Sequence, residues 1–456
     1  MYDIVLLDGR VMNPESGTDE IANVGISNGI IDSVTREPIS GKDSIDADGL
    51  VVGPGVIDMH SHGQDSENYR VQACDGVTTA LELELGVLNI DRWYGERTGK
   101  ALINFGASIG HIPVRMHVMR DPGGMLPVAD GGYKEASEAQ INEMKGLMHD
   151  GFRSGALAMG FGLAYTPSAT RWEALEMFRL ASHYGATCHV HMRGMGHLEP
   201  MNSIEGLSEL LAASVTSGAP LHIVHANSSG QQAVSRLLQM IEEARSNGLD
   251  VTTECYPYTA GMTGIESAIL NEGWKEKFGI DYEDLEWAET GERLTARTFA
   301  EYREIGGMVI VHSMRHDLVD SAVASSLTSI ASDGYLKDGK GHPRTAGCYS
   351  RVLGHYVRET GQLTLMDAIR KMTLMPARRL EIFATAFKKK GRLAEGSDAD
   401  VMIFDPEKVI DRSTYQKPTL SSGGMHHVLV NGIPVVRDGA VQESVNPGKG
   451  IRSPGN

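Results

Sequence analysis

The segment Asp58-Met59-His60-Ser61-His62 closes an apolar run, Leu50-Val51-Val52-Gly53-Pro54-Gly55-Val56-Ile57. That run reads as a buried strand, so His60 and His62 project from one face, one residue apart. Two neutral imidazoles side by side make half of a tetrahedral zinc site. The chain holds 17 histidines, so an HxH pair alone equally fits a surface or core pair. The next run, Thr78-Thr79-Ala80-Leu81-Glu82-Leu83-Glu84-Leu85-Gly86, carries two carboxylates on one face of an otherwise apolar strand. Burying them is costly without a cation or a basic partner. Further strand candidates end in His191, in His225 and in Ser332-Asp333-Gly334. Two His, a carboxylate, two more His and an Asp form the ligand inventory of a one- or two-zinc hydrolytic site. Taken singly, His191 also reads as a satisfied core imidazole, and Asp333 as a cap on the turn at Gly334.

Strand ends meet at one mouth in a parallel barrel, and the pattern of the chain supports one. Val77-Thr78-Thr79-Ala80-Leu81, Ala186-Thr187-Cys188-His189-Val190-His191, Leu221-His222-Ile223-Val224-His225, Val251-Thr252-Thr253-Glu254, Met308-Val309-Ile310-Val311-His312 and Ser329-Ile330-Ala331 alternate with amphipathic stretches. That alternation predicts an α/β fold, a (β/α)8 TIM-type barrel over 53–390. A polar, helical-looking stretch at about 262–307 interrupts it and reads as a lid over the mouth. Short β-rich runs in 1–52 and again in 391–456 are each too few for a sheet, so they are expected to pair into one discontinuous β-sandwich domain.

The chain has 456 residues, 41% of them hydrophobic and 6% aromatic, enough for a large barrel plus a satellite. A formal charge of -17 argues against nucleic acid or an anionic membrane as partner. Cys74, Cys188, Cys255 and Cys348 lie far apart, which implies no disulfide framework and fits a cytoplasmic location. Met1-Tyr2-Asp3-Ile4-Val5 has no basic region leading into an apolar core, and no run of about 18 apolar residues occurs, so neither a signal peptide nor a membrane span is expected. A homo-oligomer is the default expectation.

The chain resembles the amidohydrolase superfamily, and within it the D-aminoacylase (N-acyl-D-amino-acid deacylase) branch, over nearly its full length. The resemblance rests on Gly55-Val56-Ile57-Asp58-Met59-His60-Ser61-His62, Gly76-Val77-Thr78-Thr79, Gly162-Leu163-Ala164-Tyr165-Thr166-Pro167 and His191-Met192-Arg193. Tyr256-Pro257-Tyr258, Ser332-Asp333-Gly334, His342-Pro343-Arg344, Arg351-Val352-Leu353-Gly354-His355-Tyr356 and Gly396-Ser397-Asp398-Ala399-Asp400-Val401 extend it. It implies a zinc-dependent hydrolase of a linear amide in an N-acylated amino acid or amine. His60 and His62 would bind the buried metal, His191 and His225 close the site, and Asp333 shuttle the proton. Cyclic-amide hydrolysis or deamination on the same scaffold is the alternative, and a non-catalytic assembly protein the reading of another class.

Three departures bear on substrate, and the loss of a charged donor together with a hydroxyl suggests one other than a simple N-acyl-D-amino acid. The branch places a bridging Cys on the second strand, where this chain has Glu82-Leu83-Glu84. Glu84, nearer the strand end, is the expected replacement, with Glu82 second. The branch's Ser-His-His-Lys appears as Val224-His225-Ala226-Asn227, which removes the lysine that would pair with a substrate carboxylate. A Ser expected after Tyr-Pro-Tyr falls on Met262. Arg193 and Arg344 could hold a carboxylate bidentately, or serve as structural ion-pair residues. Tyr256 reads as an oxyanion donor or a packed wall; Tyr165, Asn227 and His342 are the remaining candidates for substrate contact. Met192, Met195 and Met201 line an apolar pocket or fill core gaps, and His312 supports the site or bonds elsewhere. No lysine ends Ala156-Leu157-Ala158-Met159-Gly160, so a carboxylated lysine is not expected.

Overall fold

A computed structural model of the chain describes residues 1–455. Eight strands form the barrel wall in chain order: Val56–Asp58, Val77–Val87, Asn104–Gly110, Met159–Gly162, Cys188–His191, Leu221–Ile223, Val251–Cys255 and Thr328–Ile330. Every adjacent pair is parallel. Just past the first and last strands the ring closes through backbone bonds: Asp333 N–H donates to the His60 carbonyl at 2.7 Å, and His62 N–H to the Gly334 carbonyl at 3.0 Å. Closure itself therefore sets Asp333 beside His60 and His62. Strands buried on both faces read as near-continuous apolar runs, as these do.

Strands from both termini build one nine-stranded sheet, in which Val51–Pro54 joins Tyr2–Asn13 on one side and Val401–Phe404 on the other. Its core mixes both ends of the chain, with Ile4, Val24 and Ile45 packed with Val401, Ile403 and Leu429. The small β domain expected from the termini thus needs both halves to bury its apolar face.

Between the seventh and eighth barrel strands, Gly261–Gly264, Leu285–Trp287 and Met308–Val311 form an antiparallel sheet with Met308–Val311 in the centre. Ile265, Trp274, Phe278, Trp287 and Phe299 give this insertion a core of its own. The run Met308-Val309-Ile310-Val311-His312 therefore lies outside the barrel wall, contrary to the alternation pattern. A short apolar run reads alike in any buried strand, and periodicity cannot tell which sheet takes it. No helix among the described residues is long and apolar enough to cross a membrane. The four cysteines are buried and unbridged.

Candidate active site

His60, His62, Glu84, His191, His225 and Asp333 converge at the C-terminal mouth of the barrel. His60 Nε2 lies 3.2 Å from His62 Nε2, 3.8 Å from Glu84 Oε2 and 3.5 Å from Asp333 Oδ1. His62 Nε2 stands 3.6 Å from the same Glu84 oxygen and 3.3 Å from the same Asp333 oxygen. A tetrahedron with metal–ligand arms of 2.0–2.1 Å has edges of about 3.3 Å, so the two imidazoles stand close to zinc-ligand spacing from each other and from each carboxylate. The other Glu84 oxygen, Oε1, lies 3.1 Å from His191 Nδ1, and Glu84, His191 and His225 form a second ligand-spaced group. One carboxylate thus faces two ligand sets. The donor set fits one or two divalent cations.

Partners behind the ligands aim them. Glu254 Oε1 bonds His60 Nδ1 at 2.6 Å and its Oε2 bonds His222 Nε2 at 3.0 Å. Glu82 Oε2 bonds His62 Nδ1 at 2.8 Å, and its other oxygen accepts the Leu85 and Gly86 N–H groups. Each bond holds the opposite ring nitrogen toward the cluster. Glu82 therefore orients a histidine while Glu84 reaches the centre, which separates two carboxylates that sequence left as alternatives. Gly160, on the fourth strand, packs against the Glu84 and Leu83 carbonyls, and a Cβ there would collide with them. Strand four has no room to send a side chain here.

Electrostatics match a cation site. Burial disfavours charge on His60, yet the Asp333 and Glu254 carboxylates overcome it and lift the imidazole to about 9. Burial likewise opposes charge on His62, and Glu82 and Asp333 raise it well above its ordinary value. His191 and His225 are pushed down to about 3, first by burial, and are neutral donors. Burial alone would raise the Asp333 carboxyl, but the Arg344 guanidinium, 2.8 Å from Oδ2, and His60 hold it well below its usual range. Asp333 and His225 both adopt left-handed backbone, at φ 50° and 32°. Non-glycine residues held there cost on the order of 1 kcal/mol or more, a cost that clusters at functional sites.

The cavity above the cluster encloses about 770 Å³ including its open mouth, with Tyr165, Tyr256, Arg344 and Met262 in its walls. The Arg344 guanidinium lies 4.5 Å over the Tyr256 ring. Arg344 Nε and Nη1 and the Tyr256 hydroxyl are buried without hydrogen-bond partners. Three orphaned donors on one wall are a ready receptor for an anionic or carbonyl oxygen.

Other candidates are placed elsewhere. Arg193 is pinned by Glu209 at 3.2 Å and by the Thr166, Pro167 and Ala169 carbonyls, outside the cavity lining. It ties loops together, and its donors are spent. Asn227 turns away from the cavity to donate to the Tyr256 carbonyl at 3.0 Å. His342 bonds the Ala260 carbonyl and accepts the Arg344 N–H, fixing that loop from behind. His312 pairs with Glu286 in the insertion. Of the three methionines, Met195 lines the cavity, Met192 packs in the barrel core, and Met201 lies by Arg171. Glu254 was not singled out from sequence, although a lone carboxylate ending the β-branched run Val251-Thr252-Thr253 carried the same signal as Glu82 and Glu84. Glu254→Gln is expected to keep the fold and weaken metal binding about 10- to 100-fold, read by competition with a chromophoric chelator; undiminished affinity would mean that His60 needs no such partner.

A closed (β/α)8 barrel with histidines and carboxylates gathered at its C-terminal mouth is the layout of a metal-dependent hydrolase. The chain belongs to the amidohydrolase family, whose model matches residues 110–436. It is similar to N-acyl-D-glutamate deacylase of Alcaligenes xylosoxydans xylosoxydans, 28% identical over 484 residues, covering 95% of this chain and 93% of the relative. D-aminoacylase of the same organism is 28% identical over 488 residues, covering 96% and 95%. Among solved structures, N-acyl-D-glutamate deacylase from Bordetella bronchiseptica, complexed with zinc and a phosphonate mimic of the tetrahedral intermediate, shares the fold with a TM-score of 0.84. The two are 24% identical, over 99% of this chain and 100% of that one.

Proposed function

We propose that this protein is a zinc-dependent deacylase that hydrolyses the linear amide of an N-acyl-D-amino acid. The supporting observation is the cluster itself: the His60 and His62 Nε2 atoms lie 3.2 Å apart and each stands 3.3–3.8 Å from a Glu84 and an Asp333 oxygen, with the second Asp333 oxygen held by Arg344. Glu84 would hold metal together with His60 and His62 through one oxygen and with His191 and His225 through the other. Zinc, when bound, supplies a Lewis acid for the scissile carbonyl and acidifies the attacking water.

The residues do the rest. Asp333 takes the proton from water at Oδ1 and delivers it to the departing nitrogen, the ordinary task of a general base turned acid. Arg344 keeps that carboxylate ionised and aimed through Oδ2. The Tyr256 hydroxyl and the Arg344 Nε and Nη1 donors bind the substrate α-carboxylate, in place of the lysine absent here. Glu254 and Glu82 position the two histidines of the first segment. Tyr165, its ring 4.9 Å from that of His191, walls the site against solvent.

Because His60 and His62 hold protons when only carboxylates face them, zinc uptake at neutral pH displaces protons. Titration calorimetry in buffers of different ionisation enthalpy is expected to show more than one proton released per ion, and affinity falling as pH is lowered. Zinc uptake without proton release would mean that both imidazoles are already neutral in the metal-free site. A second test is Arg344→Lys, expected to raise KM for N-acyl amino acids more than for uncharged N-acyl amines, since a lysine cannot supply the planar fork. Equal effects on both substrates would leave Arg344 only its role beside Asp333.

A further inference from the structure

The cavity has two unlike ends, and the deacylase reading assigns one of them. With the α-carboxylate at Tyr256 and Arg344, the amino-acid half of the substrate faces the insertion, because a Cβ on Gly261 would stand 3.3 Å from the Tyr256 hydroxyl. The scissile bond lies at the cluster, so the acyl half points across the barrel, toward the segments that follow strands two, three and four. There Leu85, next to Glu84, packs with Ile112, Met116, Leu126 and Tyr165, and Ile269 of the insertion packs on that group. Leu85, Leu126, Met125 and Ile269 line the cavity on this side.

That wall is built rather than incidental. Asp121 accepts backbone N–H groups from Gly123, Val128, Ala129 and Gly131 at 2.8–3.1 Å, which pins the loop carrying Met125 and Leu126. Met125 is 40% exposed and marks the mouth. A neighbouring cavity shares only His62, Leu85 and Met125 with this one, and Asp65, Glu82 and Arg97 line it. Met262, Phe278, Met308 and Val311 line the same cavity on the insertion side, where the amino-acid half lies, so the apolar wall left to the acyl group is the one along Leu85 and Leu126, open past Met125.

We propose that the acyl group is an unbranched alkyl chain longer than acetyl, bound along Leu85 and Leu126 and leaving the protein at Met125. This inference rests on the deacylase reading and adds the acyl specificity. Methionine at the exit tolerates chains of unequal length. Each methylene taken from water to this wall is worth roughly fourfold in binding.

The test is kcat/KM of the zinc-loaded enzyme for one amino acid carrying formyl, acetyl, butyryl, hexanoyl and octanoyl groups. The expected result is a rise of roughly fourfold per methylene that levels once the chain passes Met125. Leu126→Asp is expected to flatten the series, with circular dichroism and zinc content checking that the variant folds. A wild-type series that peaks at formyl or acetyl overturns the proposal while leaving deacylation intact. Amine release from no member, with zinc bound, overturns the deacylase reading and this inference with it.

Discussion

Asp333→Asn is expected to keep zinc and lose about 10²- to 10⁴-fold in kcat, the range supplied by a positioned general acid–base. The amide fills the same volume, and its oxygen can take the place of Oδ1, 3.3 and 3.5 Å from the His62 and His60 nitrogens. What it cannot do is accept and return a proton. The substitution also leaves the buried Arg344 guanidinium without an anionic partner. Breaking a buried pair from one side costs roughly 3–5 kcal/mol, so the melting temperature should fall as well. Metal analysis and a thermal scan separate these effects. Parallel loss of metal and turnover would mean that Asp333 is chiefly a ligand.

Glu84→Gln is expected to be as damaging for a different reason. Glu84 presents Oε2 to His60 and His62 and Oε1 to His191, so one change removes a charged donor from two ligand sets. Zinc affinity should fall about a thousandfold or more, beyond the 10- to 100-fold typical of an outer partner such as Glu254. Activity should vanish at zinc concentrations that saturate the parent. Glu84→Cys offers a soft thiolate that suits zinc and is expected to recover more affinity than Gln does. If Gln instead binds zinc as tightly as Glu, the carboxylate is not a ligand.

Much of the site was legible because strand geometry is regular. Alternation along a strand placed His60 beside His62, and the (β/α)8 pattern placed the ends of distant strands at one mouth. Period alone could not separate Glu82 from Glu84, since both lie on the same face of Val77–Val87. Their partners distinguish them: Glu82 bonds His62 Nδ1 from behind, while Glu84 reaches His60, His62 and His191 at the centre. Arg193 and His342 belong to motifs and Asn227 follows His225 in sequence, yet loop backbone at the first two and the short helix Ala226–Gly230 at the third set each one outside the cavity lining. Glu254 was missed because its partners, His60 and His222, come from other strands. The insertion sheet was hidden for a similar reason: strands Gly261–Gly264 and Leu285–Trp287 are short, and their apolar faces make sense only against each other and Met308–Val311.

The central claim is hydrolysis of an N-acyl-amino acid by a zinc site built on Glu84 and Asp333. The most direct measurement is primary-amine release by zinc-loaded protein across N-acyl D-amino acids, their L-enantiomers and uncharged N-acyl amines. The account predicts turnover of the D-series, little of the L-series or the uncharged amides, and none after zinc is stripped. Turnover confined to the uncharged amides, or silence across the panel with zinc bound, would contradict it.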